Sequence, residues 1–197
     1  MLRYYQQIDI YDDGEISSGF VWSRLFGLLH GQLVRLKDND GLTPVGLAFP
    51  GYGRERFPLG TRLRLFAPDK EILEKLQMEM LLKNYVDYVQ VSIPREVPQT
   101  ETYARFYRKQ FKNTNSERLA RRYAKRHNVS FAEAMDRYKK MDTEVVLKEN
   151  RLPFIHLQSA STGQRHRLFI VKETEQKAVE GRFNTYGLSQ TVTVPCF

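Results

Sequence analysis

Ser17 to Leu36 reads S-S-G-F-V-W-S-R-L-F-G-L-L-H-G-Q-L-V-R-L, and Trp22, Leu25, Phe26, Leu29, Leu33 and Leu36 recur in it at helical spacing. Before this helix, Tyr4 to Ile10 alternates and stops at the turn-like Tyr11-Asp12-Asp13-Gly14, which predicts a strand. After it, Asp38 to Leu42 is a turn. Val45 to Phe49 is a short buried strand closed by Pro50-Gly51-Tyr52-Gly53, and Thr61 to Phe66 alternates again. Pro68 to Leu82 returns to the helical pattern with Ile72, Leu73, Leu76, Met80 and Leu81, behind the helix-starting Pro68-Asp69. Val86 to Ile93 alternates as a last strand. The order β-α-β-β-α-β is that of a ferredoxin-like domain, complete by about Pro94.

Pro94-Arg95-Glu96-Val97-Pro98 is the best linker candidate. It divides an α+β chain into an N-terminal ferredoxin-like domain, residues 1–95, and a C-terminal domain, residues 96–197, with a basic helix and a small β-sheet. The helix is Thr114 to Asn128, T-N-S-E-R-L-A-R-R-Y-A-K-R-H-N, opened by a capping box of Thr114 and Glu117. At about 100° per residue, Arg118, Arg121, Arg122, Lys125 and Arg126 share an arc of roughly 140°. Leu119, Ala120, Tyr123, Ala124 and His127 fill the other side. A second capping box, Ser130 with Glu133, starts another helix to about Lys140. Phe154 to Gln158, Arg165 to Lys172 and Arg182 to Tyr186 read as strands, and the segment to Phe197 as extended.

The chain has 197 residues, 41% of them hydrophobic, which suffices for a packed core. Its net charge of +8 is concentrated. From Gln99 to Asn128, nine cations (Arg105, Arg108, Lys109, Lys112 and those of the basic helix) face only Glu101 and Glu117, leaving +7. A solvated helix face usually mixes signs at i, i+4 spacing. This one carries no acid after Glu117, so a polyphosphate partner is expected, and with it a nucleic acid. The single cysteine, Cys196, excludes an intramolecular disulfide and a Cys-rich zinc site. No apolar signal core and no run near the ~20 residues of a membrane span occurs, so a soluble, cytoplasmic protein is expected.

The four histidines, His30, His127, His156 and His166, do not pair at metal-ligand spacing, so no metal site and no cofactor is expected. Gly51-Tyr52-Gly53 is far from a phosphate-binding fingerprint. His30 lies at the edge of the first helix's apolar stripe between Gly27 and Gly31. On those facts alone it reads as a partly buried structural histidine. Ser159 and Ser161 read as ordinary turn residues and Tyr186 as a core aromatic.

From end to end the chain resembles the CRISPR repeat-processing endoribonucleases of type I-F systems. The resemblance rests on R-L-F-G-L-L-H-G-Q-L-V around His30, V-G-L-A-F-P at residues 45–50 and R-K-Q-F-K at 108–112. It continues in N-S-E-R-L-A-R-R-Y-A-K-R-H, S-x-S-T-G-Q at 159–164 with R-L-F-I after it, and the closing Y-G-L-S and V-P-C-F. It implies cleavage of precursor CRISPR RNA at the base of each repeat hairpin without metal. The RNA's 2′-hydroxyl attacks the adjacent phosphorus, leaving a 2′,3′-cyclic phosphate and a 5′-hydroxyl. Histidine suits the proton acceptor of such a step, and His30 matches the family's catalytic histidine. Ser159 matches the serine that holds the 2′-hydroxyl, with Ser161 nearby. Tyr186 matches the tyrosine that orients the histidine.

The resemblance further implies that the basic helix meets the hairpin's major groove through Arg121, Arg122, Lys125, Arg126 and His127, with Arg118 on the same arc. Arg108 and Gln110 match a pair that reads base edges near the foot of the stem. One residue more than the family pattern separates that pair from the helix. Lys125 stands where an arginine is expected, keeping the charge without the bidentate fork. His166 replaces a phenylalanine that stacks on the terminal base pair. The implied partners are the repeat hairpin, the retained crRNA and the other subunits of the type I-F surveillance complex, with no membrane. The competing readings are a non-catalytic RNA-hairpin-binding module and a DNA-binding protein using the same helix.

Overall fold

A computed structural model describes residues 1–11, 14, 16–111, 116–139, 152–159 and 162–197. Helices and antiparallel sheets alternate along the chain, which falls into two compact units, residues 1–108 with 153–197, and residues 109–152. β-structure on both sides of residue 95 belongs to the first unit. Among the described residues no helix is long and apolar enough to cross a membrane.

The larger unit opens with β1 (Tyr4–Ile10) and α1 (Ser18–Arg35), followed by β2 (Gly46–Ala48) and β3 (Arg62–Ala67). The predicted helix over 68–82 is two pieces, α2 (Lys70–Lys75) and α3 (Met78–Leu81), because Gln77 between them takes a left-handed φ of 48°. Asp69 does not cap α2 with its side chain; it pairs with Arg3 at 2.6 Å instead. A short 3₁₀ turn, Lys83–Tyr85, then leads to β4 (Val89–Val91), shorter than the predicted strand, and β5 (Arg95–Glu96). The sheet runs β2-β3-β1-β4, with β5 also pairing β1. Ile8 faces Leu63 on one side and Val91 on the other.

The inward side of α1 buries Val21, Trp22, Leu25, Phe26, Leu29 and Leu33. Each large apolar side chain so buried contributes roughly 1.5–3 kcal/mol relative to exposure. Trp22 is wholly buried, and its indole N–H donates to the Gly60 carbonyl at 2.9 Å, so no polar atom is stranded.

The second sheet is made of β6 (Tyr103–Lys109), β7 (Phe154–Gln158), β8 (Arg165–Glu175) and β9 (Val194–Pro195), in the order β7-β8-β6-β9. β6 was not predicted, since its residues read as the start of the basic segment. Within it Tyr103, Arg105 and Tyr107 alternate with buried Ala104 and Phe106. Arg105 is not a free cation: it pairs with Glu173 and lies 3.2 Å from Glu175, while Tyr107 donates to Glu173 at 2.6 Å. That hydrogen bond is the main reason the Tyr107 phenol is pushed up from its ordinary pKa. Ser23 on α1 donates to the His156 carbonyl of β7 at 2.6 Å, and Phe49 meets Phe106 at 5.3 Å, so one core serves both sheets.

The predicted strand over 182–186 is instead a turn, tied to Thr43 by a single two-way bridge at Phe183. Gly46 lies against that phenyl ring: a Cβ there would come within 2.4 Å of it. Gly46→Ala should therefore cost about 1–3 kcal/mol, read as a lower urea midpoint with an unchanged slope. Gly27→Ala is the control, because a Cβ there meets nothing within 4 Å, and it should gain up to about 1 kcal/mol of helix propensity. Equal midpoints for wild type and Gly46→Ala would show that Phe183 does not pack as described.

Candidate functional site

His30 sits in the penultimate turn of α1, half-buried, with Leu29 and Leu33 holding its helix face in the core. Gly27 and Gly31 are exposed beside it, and neither has a neighbour within 4 Å of where a Cβ would stand. The side of α1 next to the imidazole is thus bare backbone, open to a ligand.

The ring is fixed from two directions. Nδ1 lies 2.8 Å from the carbonyl oxygen of Thr185. A carbonyl only accepts, so Nδ1 carries the proton, and in the neutral ring Nε2 keeps the lone pair. Tyr186 stacks on the imidazole with ring centroids 4.2 Å apart and planes 6° from parallel. The Arg108 guanidinium carbon is 5.7 Å from the Tyr186 ring centroid, within cation–π range. The structure therefore joins three sequence-predicted residues, His30, Tyr186 and Arg108. It adds one that the sequence did not reveal, Thr185, whose contribution is a backbone carbonyl and has no side-chain signature.

Ser159 follows the last residue of β7, the strand on which α1 packs. Its N–H donates to Gln164 at 2.9 Å, its carbonyl accepts from Gly163 at 2.8 Å, and its hydroxyl accepts from the Thr162 N–H at 3.2 Å. Gly163 closes this turn with a φ of 69°. His166 is opposite Leu157 in the β7–β8 register and half-buried. Ser161 lies outside the described residues. Among the described residues no three His, Cys, Asp or Glu side chains are placed to hold a metal ion.

In the smaller unit, α4 runs Ser116–His127. The expected Thr114 cap lies outside the described residues. Arg118, Arg121, Arg122, Lys125, Arg126 and His127 are exposed, whereas Ala120 is buried and Tyr123 half-buried. Tyr123 gathers the back of the helix: His127 stacks on it at 4.2 Å, Tyr138 meets it edge-on at 6.1 Å, and Arg137 donates to its hydroxyl at 3.0 Å. His127 so commits one ring face to its own helix. Asn128, at a left-handed φ of 53°, ends α4. Ser130 then accepts from the Glu133 N–H at 3.1 Å, capping the helix at 131–139 as its sequence predicts. Gln110 is exposed just beyond β6, two residues after Arg108.

The profile of the family described as CRISPR-associated protein (Cas_Csy4) matches residues 5–197. A protein of Pseudomonas aeruginosa (strain UCBPP-PA14) named CRISPR-associated endonuclease Cas6/Csy4 is 37% identical over 197 residues, covering 100% of both chains. One of the same name from Escherichia coli (strain UTI89 / UPEC) is 31% identical, again over 100% of both. Solved structures titled "CRISPR associated protein Cas6" and "An RAMP protein binding different RNA substrates" align over 98% and 99% of the chain at TM-scores of 0.33 and 0.36, too remote to bear on fold or function.

The stack of His30 on Tyr186 should be measurable without any substrate. A double-mutant cycle on the unfolding free energy, with His30→Ala and Tyr186→Ala, should return a coupling of about 0.5–1.5 kcal/mol. Strict additivity would mean that the two rings do not interact in solution.

Proposed function

Because the chain belongs to the Cas_Csy4 family of CRISPR-associated proteins, we propose that it is an endoribonuclease of CRISPR RNA maturation. Its substrate is precursor CRISPR RNA, cut at the base of the repeat hairpin. The names of the full-length relatives support the endonuclease, and the geometry around His30 supports the mechanism. The 2′-oxygen of the ribose below the stem attacks the adjacent phosphorus while the bond to the 5′-oxygen of the next nucleotide breaks. The products are a 2′,3′-cyclic phosphate and a 5′-hydroxyl, the departing 5′-oxygen taking its proton from water.

The observation that carries this reading is the fixed imidazole. With Nδ1–H committed to Thr185, Nε2 is the basic nitrogen, and it can accept the 2′-hydroxyl proton without tautomerising. Tyr186 holds the ring plane, which limits the rotation that would withdraw Nε2. Ser159 is assigned to the ribose hydroxyl and not to a covalent intermediate, since the RNA supplies its own nucleophile. Ser161 is its neighbour in that role, and His166 the stacking partner of the terminal base pair. The reading assigns no step to a metal: His30 takes the proton and the RNA supplies the nucleophile.

Recognition falls to α4. Arg118, Arg121, Arg122, Lys125, Arg126 and His127 are assigned to the hairpin stem, and Arg108 with Gln110 to base edges. An A-form major groove is too deep for most side chains; a short stem with open ends lets guanidinium and ammonium groups reach its phosphates. Stem contacts do not change when a bond below them breaks, which supports retention of the mature crRNA; the family membership supports a place in the type I-F surveillance complex, in the cytoplasm. The strand order β2-β3-β1-β4, all pairs antiparallel, supports the ferredoxin-like assignment for the N-terminal domain, residues 1–95, ahead of an RNA-binding domain at 96–197.

Two variants test the two halves of this reading. His30→Ala should slow hairpin cleavage in EDTA by about 10²–10⁴-fold with hairpin affinity unchanged; equal losses of both would remove His30 from catalysis. Arg121→Ala with Arg122→Ala should weaken binding and flatten its dependence on log salt by about two contacts' worth. An unaltered salt slope would mean that α4 does not meet phosphates, and intact RNA after long incubation with wild type would leave only a binding module.

A further inference from the structure

The imidazole of His30 is held by two consecutive residues, the carbonyl of Thr185 and the ring of Tyr186. Both must come from one backbone conformation, so whatever sets the backbone at 184–187 sets the histidine. The flanks of that segment are well anchored. Phe183 exchanges both backbone hydrogen bonds with Thr43, at 2.7 and 2.9 Å, and Arg182 pairs with Asp38. Asp38 in turn accepts from the Leu42 N–H at 2.8 Å, which more than Arg182 holds its carboxyl below its ordinary pKa. On the other flank, the Gly187 carbonyl accepts from Leu47 N–H at 2.8 Å.

Between these anchors one side chain defines the turn. The amide oxygen of Asn184 accepts from the N–H of Tyr186 at 2.8 Å and from that of Leu188 at 3.2 Å. Its own N–H donates to the Leu188 carbonyl at 3.0 Å, and its carbonyl accepts from Gly187 at 2.8 Å. This is a closed Asx turn, completed by Gly187 at a φ of 69°. Its two-residue tip is Thr185 and Tyr186. We infer that Asn184 is the positioning residue of the site: its side-chain oxygen, by fixing the turn, aims the Thr185 carbonyl and Tyr186 ring at His30 and so selects the Nδ1–H tautomer. The catalytic consequence rests on the proposed ribonuclease activity; the tautomer does not.

The test follows His30 directly. In protein labelled with ¹⁵N at histidine, long-range ¹H–¹⁵N spectra at a pH where the ring is neutral should show one tautomer in wild type, protonated at Nδ1. Asn184→Ala should give a mixture with protonated Nε2, and its single-turnover cleavage should fall about 10–100-fold at unchanged hairpin affinity, the scale of a misplaced reacting group. Asn184→Asp keeps the accepting oxygen and should restore both readouts. If Asn184→Ala does not fold, Asn184→Gly removes the same oxygen without filling the turn and is read by the same criteria. An alanine or glycine variant that keeps the pure Nδ1–H tautomer overturns the inference, even if it cleaves slowly. So does a folded Asn184→Asp as disordered in its tautomer as alanine. Wild type that cleaves no hairpin would sink the ribonuclease reading, while the spectra would still decide the role of Asn184.

Discussion

The hydrogen bond from His30 Nδ1 to the Thr185 carbonyl joins positions 155 residues apart in sequence. It is possible only because the second sheet packs against α1, and because the chain returns past Thr43 and Leu47 before its end. A histidine on a helix edge is ordinarily free to rotate about χ1 and χ2 and to exchange tautomers. Here one ring nitrogen has a fixed acceptor and one ring face a fixed neighbour. Removing those freedoms leaves the ring one tautomer and one plane, and the fold's two-sheet construction is the means.

Periodicity made α1, β1 and β3 legible, because their apolar faces are long and regular. It failed where a short-range exception outweighed the pattern. The helical spacing of 68–82 continues across Gln77, yet the left-handed backbone there splits the helix. β6 was hidden because its cations were counted as charge, while the alternation of Ala104 and Phe106 between them was the structural signal. The turn at 182–188 was hidden for the opposite reason. Its residues, Phe183, Thr185 and Tyr186, have strand propensity, but Asn184 and Gly187 impose a turn on them.

The same distinction sorts the positive charges. Arg105 is spent on Glu173 and Glu175 and rivets β6 to β8. Arg64 is nearly buried, bonded to Gln7 and to the backbone oxygen of Phe197. Arg182 belongs to Asp38. These cations are matched to partners from distant strands and loops, and for buried Arg64 the loss of those partners would leave a charge in poor solvent. On α4, Arg121 has an exposed 3.8 Å pair with Glu117, worth little in water, and lies 5.9 Å from the Phe131 ring centroid. A sequence count of net charge cannot separate the two groups, since it has no access to the acids that arrive from distant strands.

On the proposed reading, this sorting bears on how a hairpin ribonuclease can be built from so few chemical groups. If the substrate brings its own nucleophile, the protein must supply a base in one protonation geometry and a cationic surface for the stem. The proposed base needs rigidity, and the turn closed by Asn184 and the ring stack offer it. The surface needs long side chains able to adjust to phosphates, which an exposed helix provides. Rigid parts accordingly occur where the backbone is doubly tied, at 183–188, and adaptable parts where side chains reach into solvent, at 118–126. A substitution can then impair chemistry without loosening the grip, or the reverse, because the two demands are met by different physical means.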